Sequence, residues 1–119
     1  SDTPFMIERL LKANDRLIGH SVSWVRPDIF GRREPPDREY LASASLYAWL
    51  REHLTVIISG GVEYIEAQVA SPDVAHLLDV APASAVLVVT RVARTSEGLP
   101  IEFAVVTYRS DRYRFRVEL

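Results

Sequence analysis

Apolar residues in this chain fall into short segments, some with the period of two of a strand and others with the three-to-four spacing of a helix. Phe5–Leu11 and Ile18–Val25 are apolar and flank Lys12-Ala13-Asn14-Asp15-Arg16, whose Asn-Asp centre suits a tight turn; the three together predict a β-hairpin. Arg26–Arg38, with Pro27, Gly31, Pro35 and Pro36, reads as a long surface loop. Asp37–Leu54 carries Tyr40, Ala44, Tyr47, Leu50 and Leu54 at helical spacing, and Ser43 or Ser45 can cap a helix that starts inside it. After Gly60-Gly61, Val62–Ala70 reads as a strand with Ile65, Ala67 and Val69 on one face. Ser71-Pro72 then opens a short helix to about Leu78. Ala85–Thr95, Pro100–Tyr108 and Tyr113–Leu119 complete the set as strands, with Ser96-Glu97-Gly98 turning between the first two. In the last, Arg112, Arg114 and Arg116 alternate with Tyr113, Phe115 and Val117, one wet face and one packed.

The chain also echoes itself. The segment from Arg9 to Asp28 resembles that from Arg91 to Asp111: Arg9 matches Arg91, Ile18 matches Ile101, Arg26 matches Arg109 and Asp28 matches Asp111, with one residue inserted in the second turn. Two related hairpins, each leaving through Arg-x-Asp, predict a sheet built by duplication. The fold class is α+β: a mainly antiparallel sheet with flanking helices, two of them covering one side.

Length and charge narrow the functions open to such a sheet. The 119 residues suit one domain. A composition of 48% hydrophobic and 25% charged residues is the balance of a chain that buries a core. The longest apolar run, Ala85–Thr90, is strand-sized. It falls far below the roughly 20 residues of a membrane span. Ser1-Asp2-Thr3-Pro4 has no secretory character, so the expected location is the cytoplasm, without membrane contact. With no cysteine, disulfides, thiolate nucleophiles and Cys-based zinc sites are excluded. A net charge of −2 argues against this segment gripping a phosphate backbone, which takes clustered Lys and Arg.

Catalytic signals are weak. His20, His53 and His76 have no partner at metal-ligand spacing, no Gly-x-Ser-x-Gly elbow marks a nucleophile, and Gly60-Gly61 is a turn rather than a phosphate loop. Glu63 and Glu66 take opposite faces of a strand. No metal or cofactor is expected. Glu102 stands apart, because period two places it with Ala104, Val106 and Tyr108, and a carboxylate and a phenol beside small residues can line a polar pocket. A strand end where Glu102 merely reaches water is the alternative. Arg9 poses the same question on the matching hairpin, next to the small, polar Gly19, Ser21 and Ser23. Ser45, at a helix start, is either an ordinary cap or part of an anion site.

Ile7-Glu8-Arg9, Ser45-Leu46-Tyr47, Leu99-Pro100-Ile101-Glu102 and Tyr108-Arg109-Ser110-Asp111-Arg112-Tyr113 resemble, in this order, the UTRA domain, the effector-binding half of HutC-type regulators in the GntR superfamily. The resemblance covers essentially the whole chain. It implies a chorismate lyase-like fold whose pocket senses a small molecule, with Arg9, Ser45, Tyr47, Glu102 and Tyr108 facing the effector: Arg and Ser on an anionic group, Glu and Tyr on hydroxyls or amines. It further implies a transcription regulator that is a cytoplasmic homodimer and contacts DNA only through a winged helix-turn-helix outside this chain, and a sensing domain lacking its opening segment. Three positions depart from the family pattern: Leu11 replaces a second Arg, Ser21 a Glu, and Ala83-Ser84-Ala85 a turn that more often contains Gly. One guanidinium fewer removes an anion clamp worth ~1.5–3 kcal/mol, which favours a carboxylate over a sugar phosphate. The alternative function is a chorismate lyase-like enzyme acting on a small aromatic acid, because a fold does not fix its function.

Overall fold

The computed structural model describes residues 3–119. Strands β1 (Phe5–Ala13) and β2 (Arg16–Val25) form the expected hairpin. Its two turn residues, Asn14 and Asp15, both have positive φ, the conformation that matches the twist of paired strands and that Asn and Asp tolerate. A 3-10 turn (Pro27–Phe30) interrupts the long loop and buries Phe30 between the rings of Phe5 and Trp49, at 5.5 and 5.8 Å.

The expected helix over Asp37–Leu54 is two helices, α1 (Arg38–Ser43) and α2 (Leu46–Leu54), broken where Ala44 is extended. The break has a local cause. The Ser45 hydroxyl accepts from the N–H groups of Tyr47 and Ala48, which makes the residue a helix start and not a helix interior. Strand β3 (Gly60–Val69), helix α3 (Pro72–Leu78), β4 (Ala85–Arg94) and β5 (Pro100–Arg109) follow.

All pairings are antiparallel in the order β1-β2-β5-β4-β3. The echo holds in the register. Arg9 faces Ser21 across the first hairpin and Arg91 faces Ala104 across the second, as the one inserted residue requires. Val22 pairs with Val105, its own equivalent, so a local two-fold axis runs through that central pair. Both exits repeat as well, for Arg26 forks onto Asp28 at 2.6 and 2.8 Å and Arg109 onto Asp111 at 3.0 and 2.8 Å.

The expectation of two helices on one side needs correction. α1 and α2 cover the face of Ile7 and Val25, where Leu41, Leu46, Trp49 and Leu50 complete a core. α3 buries Ala75 and Leu78 against Val86, whose partner Arg109 is odd-numbered where the opposite face of β5 is even; α3 therefore lies on the other side of the sheet. Tyr113–Leu119 is not a strand. β5 is central and both its ladders are filled, so a continuation has no backbone to pair with. The tail instead stacks Tyr113 on Tyr108 at 4.0 Å and sets Phe115 edge-on to both rings.

Ala83, at the turn where the family commonly has Gly, has φ +66°. A Cβ is disfavoured there by ~1–2 kcal/mol, partly offset by the unfolded-state entropy of Gly. Ala83→Gly is expected to raise stability by about 0.5–1 kcal/mol in urea denaturation.

Candidate functional site

Where the sheet face, α1 and α2 meet, a cavity of about 470 Å³ opens, lined among others by Arg9, Ser45, Tyr47, Arg91 and Glu102. Each side chain has a sequence reason to be there. Glu102 follows the even face of β5, Arg91 and Arg9 are equivalent positions of the two hairpins, and Tyr47 sits in the first turn of the helix that Ser45 caps.

Glu102 is the hub of this cavity and is 5% exposed. Ser23 donates to Oε2 and Tyr47 donates to Oε1. The Arg91 guanidinium adds Nη2 at 3.2 Å and Nε at 3.4 Å from Oε1. Arg91 also reaches Glu63 of the edge strand at 3.7 Å and lies 5.8 Å from the centre of the Tyr47 ring. The second distance is within cation–π range. Burial opposes the Arg91 charge, but Glu102, Tyr47 and Glu63 outweigh it and hold the guanidinium above its ordinary pKa. Burial, and then the bond to Glu102, push the Tyr47 phenol well above its usual range, so it stays a donor throughout the physiological range.

Arg9 is held differently. One Nη donates to the Leu41 carbonyl at 3.4 Å, while its buried Nε has no protein partner. The residue opposite Arg9 on β2 is Ser21, whose short hydroxyl replaces the carboxylate expected there. A cation without a carboxylate, beside a carboxylate already held by three side chains, is an arrangement for receiving an anion.

Four of the five residues that the sequence singles out meet here; Tyr108 does not line this cavity. Its half-buried ring belongs to the cluster with Tyr113 and Phe115, and burial together with Tyr113 raises its phenol pKa. Arg91 and Ser23 are site residues that the sequence reading misses. Their signals are present: Arg91 is the echo of Arg9, and Ser23 belongs to the small, polar face of β2. Among the described residues no group of three or more His, Cys, Asp or Glu is placed to hold a metal ion. His20 pairs with Glu8 at 2.7 Å, and His53 stacks on Trp49 at 4.8 Å.

The sequence model of the UTRA domain matches residues 1–114. The chain belongs to the UTRA family. UTRA domains are the effector-binding domains of GntR-family transcription regulators. The chain is 34% identical over 113 residues to the HTH-type transcriptional regulator Rv0792c of Mycobacterium tuberculosis, a match that spans 95% of this chain and 42% of that protein. In structure it is similar to the ligand-binding domain of a protein named as a GntR-family transcriptional regulator from Bordetella bronchiseptica (TM-score 0.86, 28% identity, 98% of this chain and 71% of that one). The effector domain of PhnF from Mycobacterium smegmatis superposes equally well (TM-score 0.86, 24% identity, 98% and 69%) and supports the chorismate lyase-like α+β fold. Among the described residues, no helix of this UTRA domain is long and apolar enough to cross a membrane.

Proposed function

We propose that this UTRA domain senses a small anionic metabolite in the Arg9–Glu102 cavity and passes its occupancy to a winged helix-turn-helix elsewhere in the same HutC-type polypeptide. The regulator acts as a cytoplasmic homodimer, and the domain binds its ligand without transforming it. The observation that carries this reading is the unequal state of the two charges. Glu102 is saturated by Ser23, Tyr47 and Arg91, whereas Arg9 keeps a buried Nε without a partner. An incoming anion completes Arg9 and meets the Ser45 hydroxyl at the rim, while a ligand hydroxyl or amine competes for Glu102. One free guanidinium favours a carboxylate over a doubly charged phosphate. The tail rings around Tyr108 support a role for that residue at the margin of the site rather than in its centre.

Thermal-shift screening of sugar phosphates, amino acids, aromatic and imidazole carboxylates and phosphonates tests the proposal. A carboxylate present at 100 times its Kd is expected to add about 2.7 kcal/mol to stability, and Arg9→Ala is expected to remove most of that gain. A ligand that stabilises Arg9→Ala as well as the parent chain would place the anion elsewhere. In gel shifts the isolated chain is expected to give no sequence-selective complex, since its net charge is −2. A salt-sensitive, selective complex would overturn the division of labour.

A further inference from the structure

The sensing cavity leaves β3 unused. All ten of its residues are exposed, among them Val62, Tyr64, Ile65 and Val69 at 47, 61, 49 and 71%. As the last strand of the sheet it turns one row of peptide groups outward, a template for pairing that proteins normally blunt with Lys, Pro or a bulge. β3 has none of these, and its register with β4 is unbroken. The opposite edge, β1, carries both Lys12 and a register shift beside it. A long unprotected apolar edge in a folded domain implies an occupant.

We propose that the occupant is β3 of a second copy, paired antiparallel about a two-fold axis at Ile65 so that two five-stranded sheets become one. A two-fold pairing of identical strands keeps equivalent faces together, so its axis passes through a residue. With Ile65 on the axis, Ile65 meets its own copy, Tyr64 faces Glu66, Glu63 faces Ala67 and Val62 faces Gln68. No carboxylate opposes another, and each Glu66 meets a phenol. An axis at Glu66 would set two carboxylates against each other, and one at Tyr64 would leave both glutamates facing Ile65 and Val62. Glu63 ties this edge to the cavity through Arg91, which bridges Glu63 and Glu102. That link to ligand binding rests on the sensing role proposed above; the strand pairing does not.

The absence of cysteine makes the test clean. Antiparallel partners lie ~4.5–5.5 Å apart at Cα, within disulfide reach. Ile65→Cys is therefore expected to convert to a covalent dimer on mild oxidation. Ala67→Cys, about four residues (~13 Å) from the partner subunit's Ala67, is expected to stay monomeric on a non-reducing gel. Ile65→Lys, which brings two ammonium groups together on the axis, is expected to give a monomer by light scattering with its far-ultraviolet spectrum retained. A parent chain that is monomeric at tens of micromolar overturns the pairing and the homodimer, leaving ligand sensing standing. A dimer that persists in Ile65→Lys, or that links through Ala67→Cys and not Ile65→Cys, overturns the β3 pairing alone.

Discussion

Glu102→Ala is expected to lower the unfolding free energy by about 3–5 kcal/mol, a large part of the stability of a domain this size. The carboxylate is 5% exposed and accepts from three side chains. Removing it leaves the Ser23 hydroxyl, 4% exposed, and the Tyr47 phenol without an acceptor, and deprives Arg91 of its shorter ion pair. A buried donor left unsatisfied costs about 1–3 kcal/mol, and a guanidinium stripped of its counter-charge in a half-buried site costs more than one in water. Glu102→Gln keeps the shape and one acceptor oxygen, so about 1–2 kcal/mol is expected. Urea denaturation with an unchanged m-value measures both. If Glu102→Ala unfolds within about 1 kcal/mol of the parent, the three bonds are not anchoring the fold. A cycle with Tyr47→Phe then separates the two roles of the cavity, because the pair should couple in stability while each loses effector response.

The same residue shows what a sequence can convey about such a site. Period two in β5 puts Glu102 on the face of Ala104 and Tyr108, and the structure keeps that face; what the pattern leaves open is whether a carboxylate at a strand end meets water or protein. Burial is decided by α2, whose approach depends on the Ser45 cap and whose Tyr47 lies 55 positions from Glu102, a contact that no local pattern encodes. Arg91 illustrates the converse. Its place beside Glu102 follows from the hairpin register and is implicit in the echo with Arg9, but a charged residue in an apolar strand reads locally as a solvated one. The C-terminal segment misleads for a physical reason: Tyr113, Phe115 and Val117 alternate as a strand does, yet alternation states only which side chains point together. Whether a strand forms depends on a free neighbouring edge, and β5 has none. The long helix over Asp37–Leu54 fails at one residue, where the capping hydroxyl outcompetes helix continuation.

Arg109→Ala is expected to cost about 3 kcal/mol, whereas the equivalent change in the first hairpin, Arg26→Ala, is expected to cost far less. The two arginines occupy matching positions and both fork onto the Asp two residues on, so the motif alone predicts equal effects. Their surroundings differ. The Arg26 side chain is 35% exposed and its remaining bond is to the Pro100 carbonyl at 3.3 Å, at the sheet margin. The Arg109 side chain is 8% exposed and lies under the end of α3, where Nη1 donates to the carbonyls of Leu78 and Asp79 at 3.1 and 3.4 Å. Those are C-terminal helix carbonyls with no intrahelical donor, so the guanidinium satisfies groups that α3 cannot satisfy itself. Truncation leaves them buried and unpaired and opens a cavity beside Leu78, the side chain that seats α3 on β4. Arg109→Lys should recover little, since one ammonium cannot hold the Asp111 fork and two carbonyls together. Amide hydrogen exchange distinguishes the cause: loss of protection confined to α3 and the start of β4 is expected for Arg109→Ala. Equal stability losses for Arg26→Ala and Arg109→Ala, with no selective loosening of α3, would mean that the exit motif stabilises the chain by its local turn alone.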